Sequence, residues 1–562
     1  MVGLSSFIRF HAQRTPNRLA LIYGDDKIDY AQMLHRIETT AGWLATQGIG
    51  PGDVVAFLMK NSPAFLELTF AASHLGAVSL PINYRLTTDE VGYIVDNGGA
   101  RLLLCDQEFA STASGLPRLH LIDAAAQRNS ARLAAAAQSP ARMHPSGPDD
   151  LFRLMYTSGT TDRPKGVMHS YSNFYWKSAD HVVALGLSAA DRLLVAAPLY
   201  HVGAFDLPGV AVLWVGGTLS ILRDFAPELA LAAIAQERLT GAWFAPVMLG
   251  RILEVAARGG LNLESMRWVV GGGERTPEGR IRAFSRVFTG ARYVDAYGLT
   301  ESCSGDTMME AGRELEKIGS VGRALAHVEV EVRGPKGQRL APGDSGEICL
   351  RGPKITRGYW KDPEKTKAAF FADWFRTGDV GHLDAEGFLY LTDRKKDMII
   401  SGGENIASSE VERVVYELPQ VQDAAVIGVA DAYWGERPVA VVVVKAGEAL
   451  ALETLQAHCR QKLAGFKVPK QLIVRTDLPR NPSGKVLKRC CASKSAANCK
   501  RQSAELPRRE AGRPPTVRGH RTAPLNCLCA RPAWCASGVH GRYERSPRHA
   551  RRRRGRLRPA GL

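Results

Sequence analysis

Apolar positions near the start of the chain recur alternately at helical and at strand spacing. SSFIRFHAQRTP, from Ser5 to Pro16, reads as an amphipathic helix. LALIYGDDKIDY, from Leu19 to Tyr30, reads as a hairpin-like pair of strands around Gly24, Asp25 and Asp26. A second helix follows through MLHRIETTAGWLATQG. The strand VVAFLM, a helix from Pro63 to Leu75, the strand AVSLPI, a helix near Thr88 to Asn97 and the strand RLLLCD then alternate at short spacing, the pattern of a parallel sheet covered by helices. Residues 125–148, rich in Ala, Ser and Pro, read as a surface excursion. The alternation resumes with DRLLVAAP, GGTLSIL, a helix from Pro227 to Glu237 and TGAWFAP.

These elements predict an α/β protein with one large N-terminal unit, residues 1–394, containing several sheets. A smaller α/β unit, residues 395–489, follows. In it Ser409-x-x-Glu412 reads as a capping box opening a helix that ends near Pro419. The strands QDAAVIGV and PVAVVVV, a helix from Leu452 to Leu463 and the strand QLIVR complete that unit. With 562 residues, the length calls for more than one core.

Charge changes the picture only at the end of the chain. The formal net charge is +17, but residues 486–562 hold 20 of the 73 Lys and Arg and only 3 of the 56 Asp and Glu. That leaves 53 of each sign in residues 1–485. The folded body is therefore neutral, and no nucleic-acid partner is expected for it. Residues 490–562 form a basic tail of no periodic pattern. The cysteines of the body, Cys105, Cys303, Cys349 and Cys459, are scattered, which suggests reduced thiols in a cytoplasmic protein. The first residues do not read as an export signal, and no run approaches 18 apolar residues. No membrane span is expected, and any membrane contact would be peripheral.

Candidate chemistry collects in six stretches. LMYTSGTTDRPKG, Leu154 to Gly166, delivers Thr157, Ser158, Gly159, Thr160 and Thr161 from a short apolar strand. Hydroxyls and bare N–H groups there can converge on an anion, with Lys165 adding a compact positive charge. It lacks the Walker spacing. VVGGGE places Gly271, Gly272, Gly273 and Glu274 after a strand, where a flat ligand can approach the backbone. DAYGLTES brings Asp295, Ala296, Tyr297 with an aromatic face, Gly298 for a turn, the Thr300 hydroxyl, and Glu301, a hard oxygen ligand for Mg2+. In Trp374 to Asn405, Asp379 sits in a Thr-Gly-Asp turn suited to accepting two ribose hydroxyls, and Arg394 could reach the same ribose or a phosphate. PLYHVGAF sets His201 among small and apolar residues, and RNPSGKVLKR presents Lys485 on a turn. Taken singly, each has an ordinary reading as well: a Ser/Thr/Gly loop, a strand-to-helix turn, a surface carboxylate, a packed histidine, an exposed lysine.

Together and in this order, YTSGTT-x-RPKG, YGLTE, the TGD turn, DRKKDMIISGGEN and NPSGK resemble the adenylate-forming superfamily across residues 5–489, closest in style to bacterial fatty-acyl-CoA synthetases and their aryl-acid relatives. The resemblance implies an N-terminal adenylation domain, a mobile C-terminal domain and the substrates ATP, coenzyme A and a carboxylic acid. The acid first forms an acyl-adenylate with release of pyrophosphate, and coenzyme A then displaces AMP. It implies that Gly271 to Glu274 and Asp295 to Tyr297 hold adenine, Thr300 a phosphate, Glu301 Mg2+, and Asp379 and Arg394 the ribose. Lys485 would bridge carboxylate and phosphate, and Lys396 would be the hinge. Gly402 and Gly403 would line the pantetheine passage, and His201 would gate the acyl pocket, lined by Tyr200, Gly203, Trp243, Phe244 and Val247. A medium- or long-chain fatty acid is the expected substrate. Aryl or hydroxycinnamic acids are the alternative, as is an acyl-AMP ligase that serves a carrier protein.

Two features depart from the superfamily. Asp162 stands where glycine is usual, and a carboxylate about 4 Å from a phosphate would cost on the order of 4 kcal/mol at an effective dielectric near 20. The tail is either the product of a reading-frame shift near Lys488 or an arm for nucleic acid or anionic membrane.

Overall fold

The computed structural model describes residues 2–123, 139–157, 164–273, 276–394, 397–401, 404–431, 434–480 and 486–492. Four sheets organise it. The first has six strands in the order Leu119–Ile122, Ala100–Asp106, Val54–Leu58, Val78–Ile82, Leu151–Thr157 and Lys165–Ser170, parallel except for the last pair. The second has nine. Its centre runs Arg292–Tyr297, Trp268–Gly271, Gly241–Phe244, Arg192–Val195, Thr218–Ile221 and Leu19–Tyr23, all parallel. Antiparallel strands close both of its edges.

The expected alternation of strands and helices therefore holds, distributed over two sheets. The helix Pro63–His74 shows why they stay together. Every one of its residues is buried, because its apolar side chains surround the whole helix and no face is left for water. Its one carboxylate, Glu67, lies 3.3 Å from the Arg36 guanidinium. Ser62 caps it by accepting from the Phe65 N–H, and Pro63 occupies its first turn.

Residues 329–394, the last part of the large unit, add another of its expected sheets. They form a separate antiparallel sheet: Glu329–Arg333, Gly346–Arg351, Trp374–Leu383 and Phe370–Phe371 in order, with Leu389–Arg394 also paired to Trp374–Leu383. The fourth sheet belongs to the smaller C-terminal domain. Val421–Asp431 and Gly435–Val444 pair antiparallel at its centre, and Gln471–Arg475 joins in parallel.

The predicted capping box of the smaller domain does not form. Its helix spans Ser408–Val415, its N-cap is Ala407, and no side chain caps it. Ser409 instead donates to the Thr392 carbonyl, and Glu412 accepts from the Val426 N–H at 2.8 Å and pairs with Lys488 at 2.8 Å. Both side chains have tertiary partners that outcompete the local cap. The packed chain also runs past Arg489: the short helix Lys488–Ala492 seats Cys491, 1% exposed, against Val441 and Leu478. Among the described residues no helix is long and apolar enough to cross a membrane.

Candidate active site

Two parallel neighbours, Trp268–Gly271 and Arg292–Tyr297, end side by side with Gly271 opposite Asp295. Their carboxyl ends deliver the Gly271 and Asp295 stretches to one crevice, where ligands of open α/β sheets bind. Glycine is required at two of these positions. A Cβ on Gly271 would stand 1.7 Å from the Tyr293 hydroxyl, and one on Gly298 would stand 2.3 Å from the Gly305 nitrogen. Gly273, at φ +92°, makes the turn that leaves the crevice open.

The crevice holds a cavity of about 200 Å³ between the two domains. Gly273, Ala296, Tyr297, Gly298 and Asp379 line it from the large domain. Ser409, Glu412, Tyr416 and Lys488 line it from the small one. Tyr297 is buried, and its hydroxyl donates to Asp379 Oδ2 at 2.8 Å, so it also holds the carboxylate that the Thr-Gly-Asp turn presents. Burial beside Asp379 pushes the Tyr297 phenol well above its usual range, which keeps it a hydrogen-bond donor at all working pH. The backbone of Arg394 lies opposite that of Asp379 in the antiparallel ladder.

A second cluster forms around Tyr359, which the sequence reading missed. Lys165 begins the strand Lys165–Ser170, paired to Thr157 at the end of the preceding strand, and its ammonium lies 4.2 Å from the centre of the Tyr359 ring. The Tyr359 hydroxyl donates to Glu301 Oε1 at 2.9 Å, and the Thr356 N–H donates to the Glu301 carbonyl at 2.7 Å. One aromatic ring thus gathers the lysine and the carboxylate. The available sequence signal was Gly358, at φ +138°, in a Thr-Arg-Gly-Tyr-Trp run that pairs with the strand of Lys165. Glu301 with Thr300 beside it is a hard oxygen donor set, and it fits Mg2+, which is commonly held by one or two carboxylates with substrate phosphates.

His201 N-caps the short helix Val202–Phe205 by accepting from the Gly203 N–H at 3.1 Å. Its ring lies 6.3 Å from Trp243, and burial lowers its pKa to about 4, so it is neutral at physiological pH. Gly203 is obligatory here, since a Cβ would meet the Trp243 ring at 2.7 Å. Phe244 corrects the expectation for this pocket. It follows Trp243 in a strand, so it points to the opposite face, into the helix-covered core with Ile234 and Leu249. Tyr200 packs edge-on against Tyr84, which stacks on Phe109. Among the described residues the buried Tyr200 hydroxyl and the Trp243 indole N–H have no hydrogen-bond partner.

Ser158, Gly159, Thr160, Thr161, Glu274, Lys396, Gly402, Gly403 and Lys485 lie outside the described residues, as does Asp162.

Fold and site together define a two-domain α/β enzyme with a ligand crevice at the domain junction. Comparison with known proteins makes this specific: the chain belongs to the AMP-binding enzyme family, whose sequence model matches residues 8–360, and the family's C-terminal domain matches residues 410–485. It is 38% identical over 486 residues to a feruloyl-CoA synthase of an Amycolatopsis species, an alignment covering 86% of this chain and 98% of the relative. It is 36% identical to a long-chain-fatty-acid–CoA ligase of Mycobacterium tuberculosis, covering 83% and 92%. The structure of o-succinylbenzoate CoA synthetase from Bacillus subtilis with its acyl-adenylate superposes with a TM-score of 0.79 at 30% identity, over 87% of this chain and 98% of that one. The chain is an AMP-forming acid–CoA ligase, with ATP, Mg2+ and coenzyme A as its co-substrates and metal.

Proposed function

We propose that the acid is a substituted aryl acid of the hydroxycinnamate or benzoate kind, and that the expectation of a fatty acid gives way to this alternative. The observation that carries the reading is the pair of buried, unpartnered donors, Tyr200 O–H and Trp243 N–H, set among the rings of His201, Tyr84 and Phe109. Buried polar groups are costly without a partner, so these donors call for acceptors on the ligand. An alkyl chain has none, whereas a phenol, methoxy or oxo substituent on a planar ring has one. The feruloyl and succinylbenzoate relatives support the same choice.

In this reading the aryl carboxylate attacks the α-phosphorus of ATP, giving acyl-adenylate and pyrophosphate. The thiol of coenzyme A then attacks the acyl carbon and AMP leaves. Carboxylate and triphosphate repel one another, and the chain answers with fixed charges. Lys165 and the N–H groups and hydroxyls of Thr157 to Thr161 take the triphosphate, and Lys485 joins carboxylate to α-phosphate. Glu301 would hold Mg2+, which when bound supplies charge neutralisation at the phosphates. Gly271 to Glu274 and Asp295 to Tyr297 cradle adenine, Thr300 a phosphate, and Asp379 and Arg394 the ribose. A turn about Lys396 then exchanges Lys485 for the Ile400 to Asn405 face, with Gly402 and Gly403 beside the pantetheine arm.

A pyrophosphate-release panel of aryl acids and fatty acids of graded length, with and without coenzyme A, tests this. Aryl acids are expected to give the highest kcat/KM. A monotonic rise with alkyl chain length and no response to aryl acids would reinstate the fatty-acid reading.

A further inference from the structure

Beneath the Thr300–Glu301 turn lies a chain of buried polar groups that no step above uses. Arg153 and His169 sit opposite one another on adjacent strands and are 1% and 0% exposed. The Arg153 Nε and Nη2 atoms lie 3.1 and 2.9 Å from His169 Nδ1, and Nη2 donates to Asp206 Oδ2 at 2.8 Å. At the far end His169 Nε2 is 2.7 Å from the Thr300 carbonyl oxygen. These contacts fix the tautomer. A guanidinium only donates, so Nδ1 must carry the lone pair, and a carbonyl only accepts, so Nε2 must carry the proton.

The same loop is gripped further on. Buried Lys354 donates to the Gly305 carbonyl and lies 3.2 Å from Asp306, which accepts from Ser302 at 2.5 Å. Cys303, Ser304 and Gly305 run consecutively through the left-handed region at φ +57°, +69° and +69°. Two of these are not glycine, a backbone that persists only where its surroundings over-determine it.

We propose that Asp206, Arg153 and His169 are a positioning chain that fixes the Thr300–Glu301 peptide for the adenylation half-reaction and not for thioester formation. This rests on the functional reading above, in which Thr300 and Glu301 serve the triphosphate. Most of that charge leaves with pyrophosphate and the acyl-adenylate keeps only its α-phosphate, so the second half-reaction depends far less on their exact placement.

The test uses the full chain and the variants His169→Leu and His169→Gln. ATP–pyrophosphate exchange reports adenylation, and thioester formation from supplied acyl-adenylate and coenzyme A reports the second step. His169→Leu is expected to lose roughly 10–100-fold in exchange, the range for removing an outer-shell partner, with thioester formation unchanged. His169→Gln should recover most of the exchange, because its amide oxygen can accept from Arg153 while its NH2 donates to Thr300. Exchange unaffected in His169→Leu overturns the proposal, as does a parallel loss of both half-reactions with lowered Tm. Histidine 15N shifts of the wild-type chain give a readout free of turnover: an Nδ1-protonated His169 overturns the proposal whatever the activity. A wild type without exchange on any acid would count against the functional reading alone.

Discussion

Tyr359 does two things at once: its ring face holds the Lys165 ammonium and its hydroxyl holds Glu301. A hydrogen bond to a charged group contributes about 1.5–3 kcal/mol, so Tyr359→Phe is expected to lower kcat/KM for Mg·ATP by roughly tenfold or more. Tyr359→Leu should lose more, since the ring under Lys165 goes too. Steady-state kinetics with ATP and Mg2+ varied separately will show it, and an unchanged Tyr359→Phe profile would remove the residue from the site. Asp162 is expected to work in the opposite sense, as a negative charge within the stretch proposed above to take the triphosphate. Asp162→Gly is expected to lower KM for ATP, and equal KM values would mean the carboxylate points away from the nucleotide.

At the scale of elements, periodicity was a good guide wherever one rule decided the outcome. The helix Pro227–Glu237 and the hairpin Leu19 to Asp29 follow from spacing and turn residues alone. It misled where tertiary partners competed. Ser409 and Glu412 have the spacing of a cap, yet a carbonyl, an amide and a lysine from elsewhere claim them. Lys177, Asp180 and His181, polar positions of the helix Tyr171–Leu185, are likewise claimed by tertiary partners: they are buried toward Asp206, Lys354 and His327. The site motifs were legible because glycine and hydroxyl spacing encodes loops. Tyr359 was not, because its role depends on one strand meeting another. Gly203 belongs to this scale as well, since it lets the helix Val202–Phe205 approach the strand Gly241–Phe244. Gly203→Ala is expected to displace the Trp243 indole and lower kcat/KM for the best aryl acid at least about tenfold, given the cost of overpacking. KM for ATP should stay constant, and a shift confined to ATP would place the pair at the nucleotide instead.

For the whole molecule, the neutral body and the basic end of the chain are separable questions. Cys491 is part of the small domain's packing, so truncation after Ala492 is expected to leave ligase activity intact. Truncation after Arg489 uncovers Leu478 and Val441 at a cost of about 1–2 kcal/mol, visible as a lowered Tm. Equal Tm for the two truncations would show that Cys491 contributes nothing. The buried histidines set how the fold answers to acid. His74 is fully buried between the Ser5 hydroxyl at 2.9 Å and the Ala141 carbonyl at 3.0 Å, and His181 is fully buried with Nδ1 3.0 Å from the Asp206 carbonyl. Burial lowers the pKa of His74, pushes His181 well below its usual value, and holds His201 down at about 4. Below the ordinary histidine pKa near 6.5 the unfolded chain therefore takes up protons that the folded chain refuses. Stability is full above about pH 6.5 and declines as pH falls, by up to about 1.4 kcal/mol per pH unit for each such group. Asp306, raised by burial, opposes this, but one carboxyl stands against four imidazoles, since burial also takes His169 down to about 3. Thermal unfolding from pH 7.5 down to 4.5 should show Tm falling steadily below about pH 6.5, ahead of the range where surface carboxylates titrate. A Tm that stays level from pH 7 to 5 would mean that these imidazoles take up their protons without leaving the fold.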